Sequence, residues 1–289
     1  MNLRHSLVLA SLAFAGLCSA SAQTDGPKID FPSPSPVSVL KQRAGLTDFE
    51  ITYARPSARG RDIFGGLVPY GEVWRTGANF ATKISFNTPV KFEGKEIAAG
   101  SYALFTIPGR DQWTVILHKD KGEWGSYAYD AKDDIARVNV KPVALGQPVE
   151  TFTIGFDALR SESAVLTLAW DKTLVPVKLG FDVVSKVVPQ IESAMTTDAA
   201  NKLYFPAAIF YLEHGLDLNK ALTWVDAAIK AQPDAFYFYY HKARILAKLG
   251  KKTEAIATAR QSIDVAAKAG GAVKDEYVRL NEALIASLQ

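Results

Sequence analysis

Residues 83–119 read KISFNTPVKFEGKEIAAGSYALFTIPGRDQWTVILHK, and this stretch decides the fold class. Apolar and polar residues alternate, as where Ile84 and Phe86 flank Ser85, the period of a strand with one wet face. The alternation stops at Glu93-Gly94, Ala99-Gly100 and Pro108-Gly109, and such pairs form turns because glycine accepts a positive φ and proline presets φ. The pattern predicts strands at about 81–87, 90–93, 95–98, 101–107 and 112–118, joined as hairpins.

The same period extends both ways. In DFEITY (48–53) the apolar set is Phe49, Ile51 and Tyr53; in TFTIGF (151–156) it is Phe152, Ile154 and Phe156. Further strands are predicted near 135–141, 150–157, 163–170 and 173–179. With no helical period between them, these strands predict an all-β antiparallel sandwich over residues 37–180. A domain of that length buries roughly 68–70% of its unfolded surface and can stand alone.

After Phe181 the period becomes 3.6. The segments AAIFYLEHGLDLNKALTWVDAAIKAQPD (207–234) and HKARILAKLGKKTEAIATARQSIDVAAKAG (241–270) superpose. Ala208 falls on Ala243, Gly215 on Gly250, Ala221 on Ala255 and Ala228 on Ser262. A spacing of about 34 residues, with small residues where helices cross, resembles the tetratricopeptide repeat. The expected organisation is therefore a linker or helix at 181–197, then an all-α tetratricopeptide-like array at 198–289 ending in a capping helix. Gly215 and Gly250 are expected as left-handed helix caps, and Pro206 is expected to kink or shorten the first helix. Two repeats are fewer than such arrays need alone, so this part is expected to dock on the sandwich or on a protein partner. The run FYFYY (236–240) reads as repeat core or as a groove for a partner peptide.

The chain has 289 residues, and its first 22 carry Arg4, an apolar run from Leu7 to Leu17 and the small-residue site Ala20-Ser21-Ala22. That is the pattern of a signal peptide cleaved after Ala22, with export to the periplasm or medium. The single cysteine, Cys18, leaves with it. Residues 23–36 form a Pro/Ser-rich tether. The net charge of +3, or +2 without Arg4, gives no reason to expect nucleic acid or a membrane surface as partner. No second apolar run is long enough for a transmembrane segment.

Catalytic and cofactor templates are missing: there is no H-E-x-x-H, no phosphate-binding Gly-Lys-Ser/Thr loop and no G-x-S-x-G elbow. No cofactor and no metal site is expected. His118 reads as an exposed strand-end residue, and His214 and His241 as helix residues with structural roles. Near Trp124, Tyr127 and Tyr129 lie the acids Asp130, Asp133 and Asp134. Such a platform suits a sugar ring or a calcium ion, although a solvated turn has the same composition.

One stretch resists regular structure. RPSARGRDIFGGLVPYGEVWRTGAN (55–79) is rich in glycine and proline, yet carries Ile63, Phe64, Leu67, Val68, Tyr70, Val73 and Trp74. A connection this long is functional or disordered, and its apolar content argues against disorder. It is expected to pack over one open end or face of the sandwich as a folded lid, with a short helical turn around EVW (72–74). Its arginines have two available roles. They can clamp the lid by donating to its carbonyls. Alternatively Arg55, Arg59, Arg61 and Arg75, with Ser57 and Asn79, converge on a small anionic ligand such as a carboxylate or phosphate.

The strings ARPSARGRDIFGGLVPYGEVWRTGANFATKISF, AAGSYALFTIPG, WTVILHKD and RVNVKP resemble a bacterial family of unknown function, number 2911, over residues 37–180. The resemblance implies export and a domain boundary near residue 180, and brings no activity. The expected function is a ligand-binding or protein-interaction module of the cell envelope. The alternative is a hydrolase acting on an envelope polymer, using the acids near Asp130 with the arginines of 55–79.

Overall fold

The computed structural model describes residues 30–119, 122, 124–196, 203–269 and 271–289. The expected signal peptide and the first part of the expected tether lie outside the described residues. Strand β1 (Val37–Ala44) forms a hairpin with β2 (Thr47–Ala54). With β3 (Thr82–Phe86), β6 (Gly100–Ile107), β7 (Trp113–Lys119) and β8 (Asp134–Val140) they make a six-stranded antiparallel sheet ordered β1-β2-β3-β6-β7-β8. A second antiparallel sheet has the order β5-β4-β10-β9, from β4 (Val90–Phe92), β5 (Lys95–Ile97), β9 (Val143–Asp157) and β10 (Ser163–Gly180).

Local chemistry sets these elements. Between β4 and β5 only Glu93 and Gly94 remain, at φ +47° and +83°, the two left-handed residues of the hairpin turn whose twist matches its strands. Two strands differ from expectation. β10 runs unbroken through 171–172 because register shifts on both sides of Asp171 let it bend without turning. β9 starts at Val143 rather than near 150. Its first half pairs with β10 outside the core, where exposed residues carry no alternation.

Both sheets feed one core. Phe49, Ile51 and Ile84 of the first sheet join Phe152, Leu166, Leu168 and Val177 of the second in a single buried cluster, each side chain worth about 1.5–3 kcal/mol. The other face of β6 and β7 is also buried. There Phe105 and Ile116 are covered by Tyr129 and Val73.

Six helices follow among the described residues: α1 (Val184–Ala194), α2 (Tyr204–Glu213), α3 (Leu218–Ala231), α4 (Phe236–Lys248), α5 (Lys252–Ala269) and α6 (Gly271–Leu288). Gly215 (φ +63°) ends α2 and Gly250 (φ +77°) ends α4. In each case the next amide reaches back to a helix carbonyl: Leu216 to Tyr211 and Lys251 to Leu246, both at 2.9 Å. Pro206 sits in the first turn of α2, where its missing N–H costs no helical bond. The paired small residues Ala208/Ala243, Ala221/Ala255 and Ala228/Ser262 are all buried. In the run 236–240, Phe238 and Tyr239 are buried and the other rings pack on Phe205 and Tyr277.

The helices dock on the sheets. Phe181 and Val183 belong to the sheet core, and Val187 of α1 and Phe210 of α2 pack against it. His214 Nε2 lies 3.1 Å from Ser161 Oγ. Gly45, in the β1–β2 turn at φ +56°, is part of this junction: a Cβ there would stand 2.4 Å from the Ser161 carbonyl.

His241 of α4 supplies a pH dependence. Burial and the neighbouring Arg244 lower its pKa to about 4, against an opposing pull from Glu213. Arg244 also donates to its Nδ1 at 3.2 Å, a bond only the neutral ring accepts. The unfolded chain takes this proton near pH 6.5, the folded chain only near 4. Stability is therefore lost as pH falls from about 6.5 toward 4. His241→Gln should flatten that decline: urea midpoints at pH 7 and 4.5 should differ less for the variant than for the parent. Equal declines would remove His241 as the cause.

Candidate functional site

The segment 55–81 is folded by pairing with both sheets. Residues 56–58 continue β2 and add to the edge of β9, with Phe152 N–H donating to Pro56 at 2.8 Å and Ala58 N–H to Glu150 at 2.7 Å. Trp74 exchanges both backbone bonds with Thr106 at the end of β6, at 2.7 and 2.9 Å. Those bonds engage the groups a helical turn would need, so no helix forms around residues 72–74. Between these anchors, Ile63, Val68 and Trp74 are buried in the same cluster as the sheet residues. The Trp74 ring stacks on Trp170 at 5.8 Å and meets the edges of Phe152 and Trp113. The lid is a third wall of the core.

Its arginines divide into two groups. Arg55 donates from Nε to the Phe152 carbonyl at 3.0 Å and from Nη2 to Thr153 Oγ1 at 2.7 Å, tying the lid to β9. Ser57 shares a hydroxyl bond with Thr151 at 2.9 Å. The Arg59 backbone donates to Glu150 at 2.8 Å, and its guanidinium lies 3.4 Å from the Pro34 carbonyl. These three residues are used in holding the segment, and none lines the pocket described next.

Arg61, Arg75 and Asn79 do line one pocket, of about 420 Å³. Arg61 also donates to the carbonyls of Ala58 and Ser57, at 3.0 and 2.7 Å, so its guanidinium is fixed in orientation. Arg75 is different. Its half-buried side chain donates to no group among the described residues, and its Nε is buried without a partner. An unpartnered buried donor costs about 1–3 kcal/mol. Arg75 is not a clamp.

The backbone that presents it is strained. Thr76 sits at φ +53° and Asn79 at φ +60°, and a β-branched residue in that region is a true outlier. Strain of this kind costs about 1–3 kcal/mol and persists only where the surroundings enforce it. Here three fully buried threonines do so: Thr76 Oγ1 bonds Thr106 Oγ1 at 3.1 Å, and Thr82 Oγ1 donates to the Thr76 carbonyl at 2.6 Å. Gly77, next along, leaves no room for a side chain, since a Cβ would stand 2.9 Å from the Ala54 carbonyl.

The acidic turn lies beside the lid. Gly125 N–H donates to the Asn79 carbonyl at 2.9 Å, Phe80 bridges to Trp124, and Ser126 lines the pocket. Its carboxylates are occupied elsewhere. Asp130 bonds the Lys132 side chain and backbone, which hold its carboxyl below the usual aspartate value. Asp133 pairs with Lys119 at 3.0 Å, and Asp134 with Arg137 at 2.8 Å. Tyr129 bonds Asp134 at 2.9 Å, and burial raises its phenol pKa. None of the three acids faces the arginines; the pocket's carboxylate is Glu72. Among the described residues no group of three His, Cys, Asp or Glu could hold a metal ion.

His118 corrects a sequence expectation. It is fully buried, not exposed, because residues 124–133 fold back over β7 and lay Tyr129 against its ring. Its Nδ1 faces the Lys119 carbonyl at 2.8 Å and its Nε2 the Asp130 carbonyl at 3.1 Å. Ser35, Ser126 and Trp170 of the pocket carried no sequence signal, since they reach it from distant segments. A larger depression of about 640 Å³ over β1–β3 is a poorer candidate. Its charges pair with each other, Lys41 with Glu50 and Arg43 with Asp48.

No helix among the described residues is long and apolar enough to cross a membrane. No curated protein and no solved structure matches the chain. Residues 35–179, half of the chain, match the family described as protein of unknown function (DUF2911), and the chain belongs to that family.

Proposed function

We propose that the chain is an exported binding module: a β-sandwich whose lid holds a small anion, followed by a tetratricopeptide-like array that serves as a protein-interaction surface. One observation carries the binding reading. Arg75 stands in a pocket with Arg61 and Asn79, and its buried Nε donates to nothing. A carboxylate or phosphate in the pocket would meet the outer nitrogens of a guanidinium that no acceptor among the described residues engages, and would match its fork. Binding is favoured over hydrolysis because Asp130, Asp133 and Asp134 are held in other bonds and leave no carboxylate pair facing the arginines. The sandwich reading is supported by two antiparallel sheets sharing one core. The repeat reading is supported by the matched glycine caps and buried small residues of α2–α5.

Screening carboxylates and phosphates by thermal shift tests the binding reading. A specific anion at 100 times its dissociation constant stabilises the chain by about 2.7 kcal/mol. Failure of every anion class to shift the melting temperature sinks it. Export is tested separately: chain recovered from the periplasm or medium should begin at Gln23, and cytoplasmic chain retaining Met1 contradicts it.

A further inference from the structure

We propose that the anion this pocket takes is the carboxylate of an acidic sugar within a glycan, and that Trp124 and Tyr127 form the shelf on which its rings lie. The proposal rests on the anion-binding reading above and adds the ligand's class. Trp124 and Tyr127 are 68% and 88% exposed, on either side of Ser126, which lines the pocket. Large apolar rings left in water beside a pocket mark a contact surface. The turn that carries them is anchored to the lid, by the Gly125–Asn79 bond and the Phe80–Trp124 bridge. The turn that carries the rings is therefore tied to the segment that carries Arg75 and Asn79.

The Tyr127 ring folds back over the turn that carries it. It lies so close over Gly125 that a Cβ there would meet Cε2 at 2.6 Å, and Gly125, at φ +76°, supplies both the space and the turn. A flat aromatic ring with only two side-chain torsions offers contact area at little entropic cost. Beside it stand groups suited to hydroxyls: Ser35, Ser126 and Asn79, and Glu72, which accepts from them. Pyranose rings present an apolar face to an aromatic shelf and hydroxyls at their rim, and a uronic acid adds one carboxylate for Arg75 and Arg61. The volume, about 420 Å³, is within the range of small-ligand sites.

An extended peptide fits this surface less well. Peptides that bind sheets add to a free edge. Here the edge of β9 is already paired by residues 56–58, and the end of β6 by Trp74.

Calorimetric titration of the full mature chain tests the proposal. The probes are oligomers of galacturonic, glucuronic and mannuronic acid, uncharged galactose oligomers of equal length, citrate, inorganic phosphate, and a tripeptide with a free C-terminal carboxylate. At least one uronate oligomer should bind, with the neutral oligomers at least tenfold weaker. Trp124→Ala should weaken uronate binding at least tenfold and leave citrate and phosphate affinities unchanged, and Arg75→Ala should weaken uronate binding at least 30-fold. Trp124 is the only exposed tryptophan among the described residues, so uronate should shift the chain's emission to the blue, and Trp124→Ala should remove that shift. If citrate or phosphate binds through Arg75 while no uronate oligomer does, the sugar proposal fails and the anion reading stands. Preference for the tripeptide, or uronate binding unaffected by Trp124→Ala, also overturns the proposal. If nothing binds in an Arg75-dependent way, both readings fail.

Discussion

Trp74→Ala is expected to lower the stability of the chain by about 3–5 kcal/mol, the range for truncating a large buried aromatic. The indole is buried, stacks on Trp170, and packs its faces and edges among Phe64, Trp113 and Phe152. Its Nε1 donates to the Gly77 carbonyl at 3.0 Å, which the variant leaves unpaired. The cavity cannot close easily, because its walls belong to both sheets and the lid at once. For a domain of this size each kcal/mol moves the midpoint by about 2–4 °C, so the melting temperature should fall by roughly 6–20 °C. Trp124→Ala, which removes an exposed ring, is the control and should stay within about 0.5 kcal/mol of the parent. A Trp74→Ala protein melting within about 2 °C of the parent shows that the lid does not belong to the core.

The second large effect concerns binding rather than stability. Arg75→Ala should weaken a bound carboxylate by about 30- to 150-fold, the loss of a charge-assisted hydrogen bond worth about 2–3 kcal/mol. The fold should survive, with stability changed by less than about 1 kcal/mol. The reason is that Arg75 donates to no carbonyl, so its removal orphans none, and it takes away a buried Nε that lacks a partner. Arg75→Lys keeps the charge but presents a point donor instead of a fork, and should recover only part of the affinity. Arg55→Lys is the contrast. Arg55 bonds Phe152 and Thr153, so this change should lower the melting temperature and affect binding only through the fold. If Arg75→Ala destabilises the chain as much as Arg55→Lys and ligand affinity is unchanged, Arg75 is a clamp after all.

Features that depend on neighbours a few residues apart are legible in the amino-acid order. The alternation of Phe49, Ile51 and Tyr53 selects strand and inward face, because successive side chains of a strand point to opposite sides. Glu93-Gly94 sets a hairpin, and Gly215 and Gly250 end α2 and α4, because a left-handed backbone is decided at the residue that adopts it. The lid was legible as a folded segment, because seven large apolar side chains in one connection cannot all remain in water.

How those parts are used depends on contacts between segments far apart in the chain. That Arg55 clamps depends on acceptors supplied by Phe152 and Thr153, about a hundred residues away along the chain. His118 looked exposed because its strand ends there, and it is buried because a later turn folds back onto it. The strained RTGAN segment needs Thr106 and Ala54 behind it, and the pocket needs Ser126 from a turn beyond β7. A hydrogen bond is set by geometry at about 3 Å, and sequence spacing carries that geometry only within a turn, a strand or a helix. Beyond those ranges it is the packing of both sheets around one core that brings donor to acceptor, or leaves Arg75 without one.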